Sequence, residues 1–209
     1  MQNKTAQIVI VDYGMGNLRS VQKKMELIGV HASISDDLKQ IEQADKLILP
    51  GVGHFASGVR RLKESGIWHL LNEKVLNKKT PIIGICLGMQ LMAKFSEEGH
   101  VDGLGWFDAQ VIRFRVSDKI VYKVPHIGWN TLEIKKESAF LNNISAGAQF
   151  YFVHSFHFVC NHKTDELTAT EYDYPFTSAV YKENILGVQF HPEKSHDQGE
   201  QLLRNFVKI

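Results

Sequence analysis

Short apolar runs alternate with amphipathic segments through the first half of the chain. The apolar runs are QIVIVD, KLILP and PIIGIC, and the amphipathic segments that follow them span residues 18–28, 56–62, 68–76 and 89–95. Runs that are apolar on both faces and separated by helices are typical of parallel strands in βαβ units. The first half is therefore predicted to be an α/β structure.

The pattern changes from Asp108 onward, where strand-like segments follow one another with little helix between them. These segments are DAQVIRF, NTLEIK, AQFYFVHSFHFVC, ELTATEY and FTSAVYKENILGVQF. Glu183 and Asn184 are a plausible hairpin turn, and a closing helix is expected over about residues 200–207. The predicted fold is an open, mostly parallel sheet flanked by helices, with antiparallel strands added in the second half.

Length and composition change this picture little. The 209 residues contain no Pro/Gly/Ser-rich linker, so we expect a single domain over residues 1–209. Lys plus Arg total 24 against 23 Asp plus Glu, without a basic cluster, so nothing in the charge favours nucleic acid or a membrane surface. The N-terminal stretch MQNKTAQIVIVDYG lacks a signal-peptide pattern, and we expect a cytoplasmic protein.

Of the two cysteines, Cys86 occupies a distinctive position. Gly84-Ile85-Cys86-Leu87-Gly88 is a G-x-C-x-G form of the nucleophile elbow, in which a strand turns sharply into a helix and exposes the central side chain. The helix N-terminus there favours the thiolate, which is the nucleophile that acyl transfer needs. Taken alone, the motif is equally compatible with an inert core cysteine.

A candidate base lies at the end of another apolar strand, in GVQFHPE. In an extended segment the side chains of His191 and Glu193 point to the same side, so the carboxylate can reach the imidazole. Pro192 stiffens the chain between them. A nucleophile, a base and a group that orients the base are the three parts of a catalytic triad.

A third element follows the strand KLIL. The stretch Leu49-Pro50-Gly51-Val52-Gly53 contains glycines that allow backbone N–H groups to turn toward a site. One N–H of this stretch, from Val52 or Gly53, and the N–H of Leu87 are predicted to form an oxyanion hole. An ordinary Pro-Gly turn is the alternative. No metal or cofactor is expected.

With these elements assembled, the chain resembles the class I (triad) glutamine amidotransferases. Within that class it resembles the glutaminase subunits of imidazole glycerol phosphate synthases. The motifs VDYGMGNLRSV, ILPGVGHF, GICLGMQLM, SEEG, PHIGWN, YFVHSF and GVQFHPEKS occur in the family's order over essentially the whole chain. The resemblance implies that Cys86 attacks the carboxamide of glutamine, that His191 transfers the proton and that Glu193 orients His191.

The resemblance also implies binding positions. Matches to the family's substrate site are Gly51, Gln90, Glu98, His154, Ser155 and Phe156, the last replacing a Tyr found in many relatives. The implied partner is a cyclase with a (β/α)₈ barrel, which receives the ammonia in a heterodimer. Matches to the face that meets the barrel are Asn17, Trp129, Tyr151 and Lys194.

Three alternatives remain open at this point. A paralogous glutaminase subunit would supply ammonia to a synthase that amidates sugars for surface polysaccharides. A stand-alone cysteine hydrolase would use the same architecture without a partner. A metal-binding module would use His154, His157 and His162, although their spacing lacks a paired Cys or carboxylate cluster.

Overall fold

A mixed sheet of twelve strands runs through the structure, a computed structural model that describes residues 6–145 and 147–209. The strands are β1 (Ile8–Val11), β2 (Ala32–Ser35), β3 (Lys46–Gly51), β4 (Ile82–Cys86), β5 (Ala93–Ser96), β6 (Val101–Asp102), β7 (Phe107–Arg113), β8 (His126–Thr131), β9 (Glu133–Ile134), β10 (Gln149–His154), β11 (Phe156–Cys160), β12 (Glu166–Tyr172), β13 (Tyr174–Lys182) and β14 (Ile185–Val188). The order in the main sheet is β2-β1-β3-β4-β14-β13-β11-β7-β5-β6, with β12 beside β13 and β9 beside β12. Strands β8 and β10 pair separately as a two-stranded ribbon.

Helices cover both faces of this sheet. They are α1 (Leu18–Leu27), α2 (Leu38–Gln43), α3 (Phe55–Glu64), α4 (Ile67–Asn72), α5 (Leu87–Gln90) and α6 (His196–Lys208), with a π-helical turn at Glu73–Asn77 after α4. Alternate residues of each parallel strand enter different core layers, as the two-residue period of a strand requires. Val9 packs with α2, α3 and α4, whereas Ile8 packs with α1 and α6.

The predicted fold class is confirmed. Strands β2, β1, β3, β4 and β14 run parallel, and β13, β12, β11 and β7 add antiparallel pairs. The predicted turn at Glu183 and Asn184 joins β13 to β14 as an antiparallel hairpin. The closing helix begins at His196, four residues before its expected start. None of the helices in the described part of the chain is long and apolar enough to cross a membrane.

Other boundaries differ from the expectation. The amphipathic segment 89–95 is not one element, because α5 ends at Gln90 and Ala93 begins β5, which pairs with β6 and β7. An apolar run this short cannot be assigned by periodicity, and strand pairing decides it here. Strand β2 and helix α2 had no counterpart in the prediction, since both are short and only partly apolar.

Two predicted strands are each divided into two. NTLEIK is split at Leu132 between β8 and β9, and the long segment 148–160 is split at Ser155 between β10 and β11. Strand β10 joins the ribbon, whereas β11 joins the main sheet. The break therefore carries the chain from one sheet to the other next to His154.

The ends of three strands coincide at one edge of the sheet. Gly51 of β3 lies opposite Cys86 of β4, and Val188 of β14 lies opposite Ile85 on the other side of β4. The PGVG loop, the cysteine and the GVQFHPE segment therefore leave the sheet together. This is the edge at which open α/β sheets bind ligands.

Close backbone approach at this edge depends on Gly88. A methyl group there would overlap the carbonyl oxygen of Leu49, and one at Gly84 would lie 2.8 Å from the carbonyl group of Gly88. Helix α5 can therefore begin directly against β3 only if these positions lack side chains.

Gly88→Ala is expected to lower the free energy of unfolding by roughly 1–3 kcal/mol, because the added methyl group must displace backbone atoms. Gly58→Ala in α3 is the matched control, since the nearest atoms to its methyl would be side-chain methyl groups, those of Leu91 at 3.2 Å and one of Leu87 at 3.6 Å. Urea unfolding of both variants gives the comparison. Equal stabilities for the two variants would contradict the packing described here.

Candidate active site

The backbone turns abruptly at Cys86. This residue ends β4 and immediately precedes α5, and its dihedral angles are φ 54° and ψ −110°. A positive φ is strained for a residue that has a side chain, and such strain persists only where the surroundings enforce it. The predicted strand-to-helix elbow is therefore present, with Cys86 at its apex.

His191 and Glu193 form a buried pair beside this elbow. Nδ1 of His191 lies 2.7 Å from Oε1 of Glu193, and both side chains are 2% exposed. The chain does not remain extended between them as expected, because Pro192–Lys194 forms a 3₁₀ turn. The contact nevertheless forms, and it sets the tautomer in which Nδ1 donates and Nε2 faces away from the carboxylate.

The charge state of His191 follows from its neighbours. Burial alone would lower its pKa, but the adjacent Cys86 and Glu193 outweigh burial and raise the pKa to about 10. Nε2 of His191 makes no hydrogen bond of acceptable geometry with any described residue. These neighbours therefore favour the imidazolium form of His191.

A cavity of about 380 Å³ opens in front of the elbow. It is lined by Val52, Gly53, Cys86, Leu87, Gln90, Glu98, Pro125, Val153, His154, Ser155, Phe156 and His191. The cavity therefore brings together the candidate nucleophile, base, oxyanion residues and most of the candidate substrate residues. Gly51 and Glu193 do not line it, and Pro125 and Val153, which do, were not predicted.

Two glutamines connect the nucleophile to the cavity wall. Nε2 of Gln189 lies 3.6 Å from Sγ of Cys86, and Oε1 of Gln189 accepts a hydrogen bond from Nε2 of Gln90 at 2.9 Å. Gln90 also donates to the carbonyl oxygen of Phe156 at 2.9 Å. Gln189 was not predicted, although it lies two residues before His191 on the same strand extension, a spacing that places both on one side.

A family model described as "Glutamine amidotransferase class-I" matches residues 9–209. The chain belongs to this family. Among curated relatives, "Imidazole glycerol phosphate synthase subunit HisH 2" of Methanococcus maripaludis is 49% identical, covering 96% of this chain and 98% of the relative. The protein of the same name from Pseudomonas aeruginosa is 46% identical, covering 97% of this chain and 99% of the relative.

Solved structures agree with the fold of this amidotransferase. A "glutamine amidotransferase" superimposes with a TM-score of 0.71 at 22% identity, covering 96% of this chain and 97% of that one. A glutamine amidotransferase from Thermotoga maritima gives 0.68 at 17% identity, covering 99% and 98%. At these identities the likeness concerns the fold alone.

The candidate substrate residues of this amidotransferase also have structural contacts. Both amide hydrogens of Gln90 are used by Gln189 and Phe156, so only its carbonyl oxygen remains available to a ligand. Oε2 of Glu98 accepts a hydrogen bond from the backbone N–H of Phe55 at 2.8 Å, at the start of α3. The carboxylate of Glu98 is thereby held at the cavity wall.

The candidate partner residues lie on a neighbouring surface. Trp129 of β8 is 43% exposed, stacks on His196 at 4.9 Å and meets Tyr151 of β10 edge to face at 5.8 Å. Nζ of Lys194 lies 5.5 Å from the centre of the Tyr151 ring. Asn17 is exposed at the start of α1, which packs against the turn that contains Lys194.

The three histidines of the metal-binding alternative do not converge on one point. His154 bonds to His126 at 3.1 Å, His157 bonds to the Tyr174 hydroxyl at 3.2 Å, and the exposed His162 lies 3.7 Å from a carboxylate oxygen of Asp108. Each of them is accounted for by a different neighbour.

Glu193→Gln is expected to slow glutamine hydrolysis less than His191→Ala does. The carboxamide can still accept the hydrogen bond from Nδ1, although loss of its charge lowers the pKa of His191. Single-turnover formation of the thioester, followed by mass spectrometry, measures both variants. Equal losses in two folded variants would show that Glu193 does more than orient His191.

Proposed function

We propose that this chain is the glutaminase subunit of an imidazole glycerol phosphate synthase, acting in histidine biosynthesis in the cytoplasm. It hydrolyses glutamine to glutamate and ammonia for a cyclase partner with a (β/α)₈ barrel. The observation that carries the proposal is the buried His191–Glu193 pair beside Cys86, at a strained elbow that opens into one cavity. Likeness to the named relatives over nearly the whole chain supports the choice of synthase.

The chemistry uses the three side chains in sequence. The Cys86 thiolate attacks the carboxamide carbon of glutamine, and the His191 imidazolium gives its proton to the departing ammonia. A glutamyl thioester remains on Cys86. Water, deprotonated by the now neutral His191, then releases glutamate and restores the thiolate. Glu193 keeps the imidazole oriented and stabilises its charged form.

The negative oxygen of each tetrahedral intermediate needs hydrogen-bond donors. One proposed donor is the N–H of Leu87, the residue that follows the nucleophile. The other is the N–H of Val52 or Gly53, which follow the end of β3, and both Val52 and Gly53 line the cavity. Removing one such donor typically costs about 10²- to 10³-fold in rate. The glutamine itself is held by Gln90, Glu98, His154, Ser155 and Phe156, with the backbone of Gly51 supporting the loop.

The ammonia passes to the partner without release. In the barrel it joins a phosphoribulosyl ribonucleotide, giving imidazole glycerol phosphate and aminoimidazole carboxamide ribotide. Asn17, Trp129, Tyr151 and Lys194 face the partner in a heterodimer. Aromatic side chains with exposed edges are typical of such interface cores. No cofactor takes part.

A second synthase remains a candidate partner. It is a synthase that amidates sugars for surface polysaccharides, which would use the same glutaminase chemistry with another acceptor of ammonia. Glutamate release is measured with each type of partner and its own substrate. Stimulation by the histidine-pathway cyclase supports the proposal, and stimulation by the sugar synthase alone supports the second candidate.

Cys86→Ala is expected to abolish glutamine-dependent synthesis in the complex and to leave synthesis from ammonium salts largely intact, because the barrel carries out its own chemistry. Both nitrogen sources are assayed on one preparation. Retained glutamine-dependent turnover would remove Cys86 from the mechanism.

Cys160→Ser is the matched control. Burial raises the pKa of Cys160 to about 12, so this residue stays a thiol, and it lies on β11 outside the cavity. We expect Cys160→Ser to retain glutamine-dependent turnover.

The isolated subunit is expected to hydrolyse glutamine at least about 10²-fold more slowly than the complex with bound ribonucleotide. The peptide between Gly51 and Val52 can take two orientations that differ in free energy by only a few kcal/mol. We propose that the lone subunit holds the Val52 N–H away from the oxyanion, so that one stabilising hydrogen bond is lost. Glutamate release is measured for the subunit alone, with the barrel, and with the barrel and ribonucleotide. Full activity of the subunit alone would favour a stand-alone hydrolase.

A further inference from the structure

The hydroxyl group of Tyr13 lacks a hydrogen-bond partner among the described residues, although it is buried. Tyr13 follows β1, is 4% exposed, and packs in the core layer that contains Leu49 and Leu87. Buried hydroxyl groups are almost always paired, because an unpaired one destabilises the folded state. An orphaned hydroxyl next to an active site therefore calls for an explanation.

Its position is informative. A methyl group built on Gly51 would overlap the Tyr13 hydroxyl oxygen, and it would lie 2.9 Å from Cβ of Leu87 and 3.1 Å from the backbone nitrogen of Gly88. The hydroxyl therefore rests against the α-carbon of Gly51, where β3 meets the start of α5. Tyr13 does not line the cavity, so its hydroxyl meets Gly51 on a side that the cavity does not reach.

The hydroxyl is available only as a neutral donor. Burial raises the pKa of Tyr13 above its ordinary value, and the nearby charge of Cys86 raises it further. The phenol consequently keeps its proton at every pH at which the enzyme is assayed. An acceptor brought within reach would receive a hydrogen bond.

The peptide between Gly51 and Val52 can supply that acceptor. A trans peptide is planar, so its N–H and C=O point in opposite directions. When the Val52 N–H turns into the cavity, the Gly51 carbonyl must turn away from the cavity. The side away from the cavity is the side on which the Tyr13 hydroxyl rests against Gly51.

We propose that the Tyr13 hydroxyl donates a hydrogen bond to the Gly51 carbonyl when the Gly51–Val52 peptide turns its N–H toward the substrate, and thereby holds the oxyanion loop in its active orientation. Tyr13 is a positioning residue, since it touches neither substrate nor nucleophile in this role. The inference rests on the proposed function, because it needs an oxyanion at the Val52 N–H. The same hydroxyl leaves no room for a side chain at position 51.

The test is Tyr13→Phe, which removes one oxygen and keeps the ring. We expect kcat for glutamine hydrolysis in the complex with cyclase and ribonucleotide to fall about tenfold, the change that corresponds to about 1.4 kcal/mol for one hydrogen bond. KM for glutamine should stay within about twofold, because the loop acts on the transition state. The thermal midpoint of the subunit should stay the same or rise, since an unpaired buried hydroxyl is removed.

Lower activity together with unchanged or higher stability separates positioning from packing. Tyr181→Phe is the matched control, because Tyr181 packs against Phe140 away from the cavity, and we expect its kcat and KM to be unchanged. The backbone amide resonance of Val52 in the liganded complex gives a second measurement, and Tyr13→Phe should shift it toward the resonance of the isolated subunit.

Unchanged kcat in Tyr13→Phe would overturn the inference, as would a fall in kcat accompanied by a lower thermal midpoint and an unmoved Val52 resonance. Each variant is compared with the wild type in whichever condition gives the wild type its highest rate. A wild type that the cyclase and ribonucleotide fail to stimulate contradicts the proposed function. A difference between wild type and variant bears on Tyr13 alone.

Discussion

The strained backbone at Cys86 is the constraint on which the rest of the site depends. A non-glycine residue with φ 54° costs on the order of 1–3 kcal/mol, and the surrounding fold must enforce it. Strand β4 is held between β3 and β14, and the missing side chain at Gly88 lets α5 start against Leu49. The same contacts that impose the strain fix the direction of the thiol. The orientation of the Cys86 thiol is therefore set by the strands around β4 as much as by the motif.

A chain of hydrogen bonds extends this rigidity into the second half of the protein. From the Cys86 sulfur it passes through Gln189 and Gln90 to the Phe156 carbonyl oxygen, which also accepts from Nδ1 of His154 at 2.8 Å. Burial lowers the pKa of His154 well below its ordinary value, so the ring is neutral and keeps one fixed tautomer. A neutral network fixes these positions without adding charge next to the Cys86 sulfur.

The sequence was sufficient to predict the site residues that lie at strand ends in motifs of recognisable spacing. The glycines around Cys86 and the apolar run that ends at His191 identify strand ends, and parallel pairing then brings them to one edge. Gln189 and Tyr13 were missed for different reasons. Gln189 lies within a recognised motif, at the spacing that already linked His191 to Glu193, and could have been found. Tyr13 is revealed only by its contact with Gly51, which no local pattern encodes.

Errors in the fold prediction have a common physical cause. The structure of the segment at Ala93 and the break at Ser155 both depend on which strand each segment pairs with. Pairing between segments far apart in the sequence is not encoded in local periodicity. The short strand β2 and helix α2 are likewise stabilised by their neighbours more than by their own sequence. That a single domain spans residues 1–209 stays a prediction.

The two-stranded ribbon links the proposed partner surface to the cavity. Trp129 of β8 pairs with Tyr151 of β10, and His126 pairs with His154. The two pairs are separated by three positions on each strand. An odd separation places the two pairs on opposite faces of the ribbon, so the aromatic pair faces outward while the histidine pair faces the interior. His126 bonds directly to His154, and His154 lines the cavity. Trp129 and Tyr151, the proposed partner surface, therefore lie on the opposite face of the ribbon from the histidine pair whose hydrogen bonds lead toward Cys86.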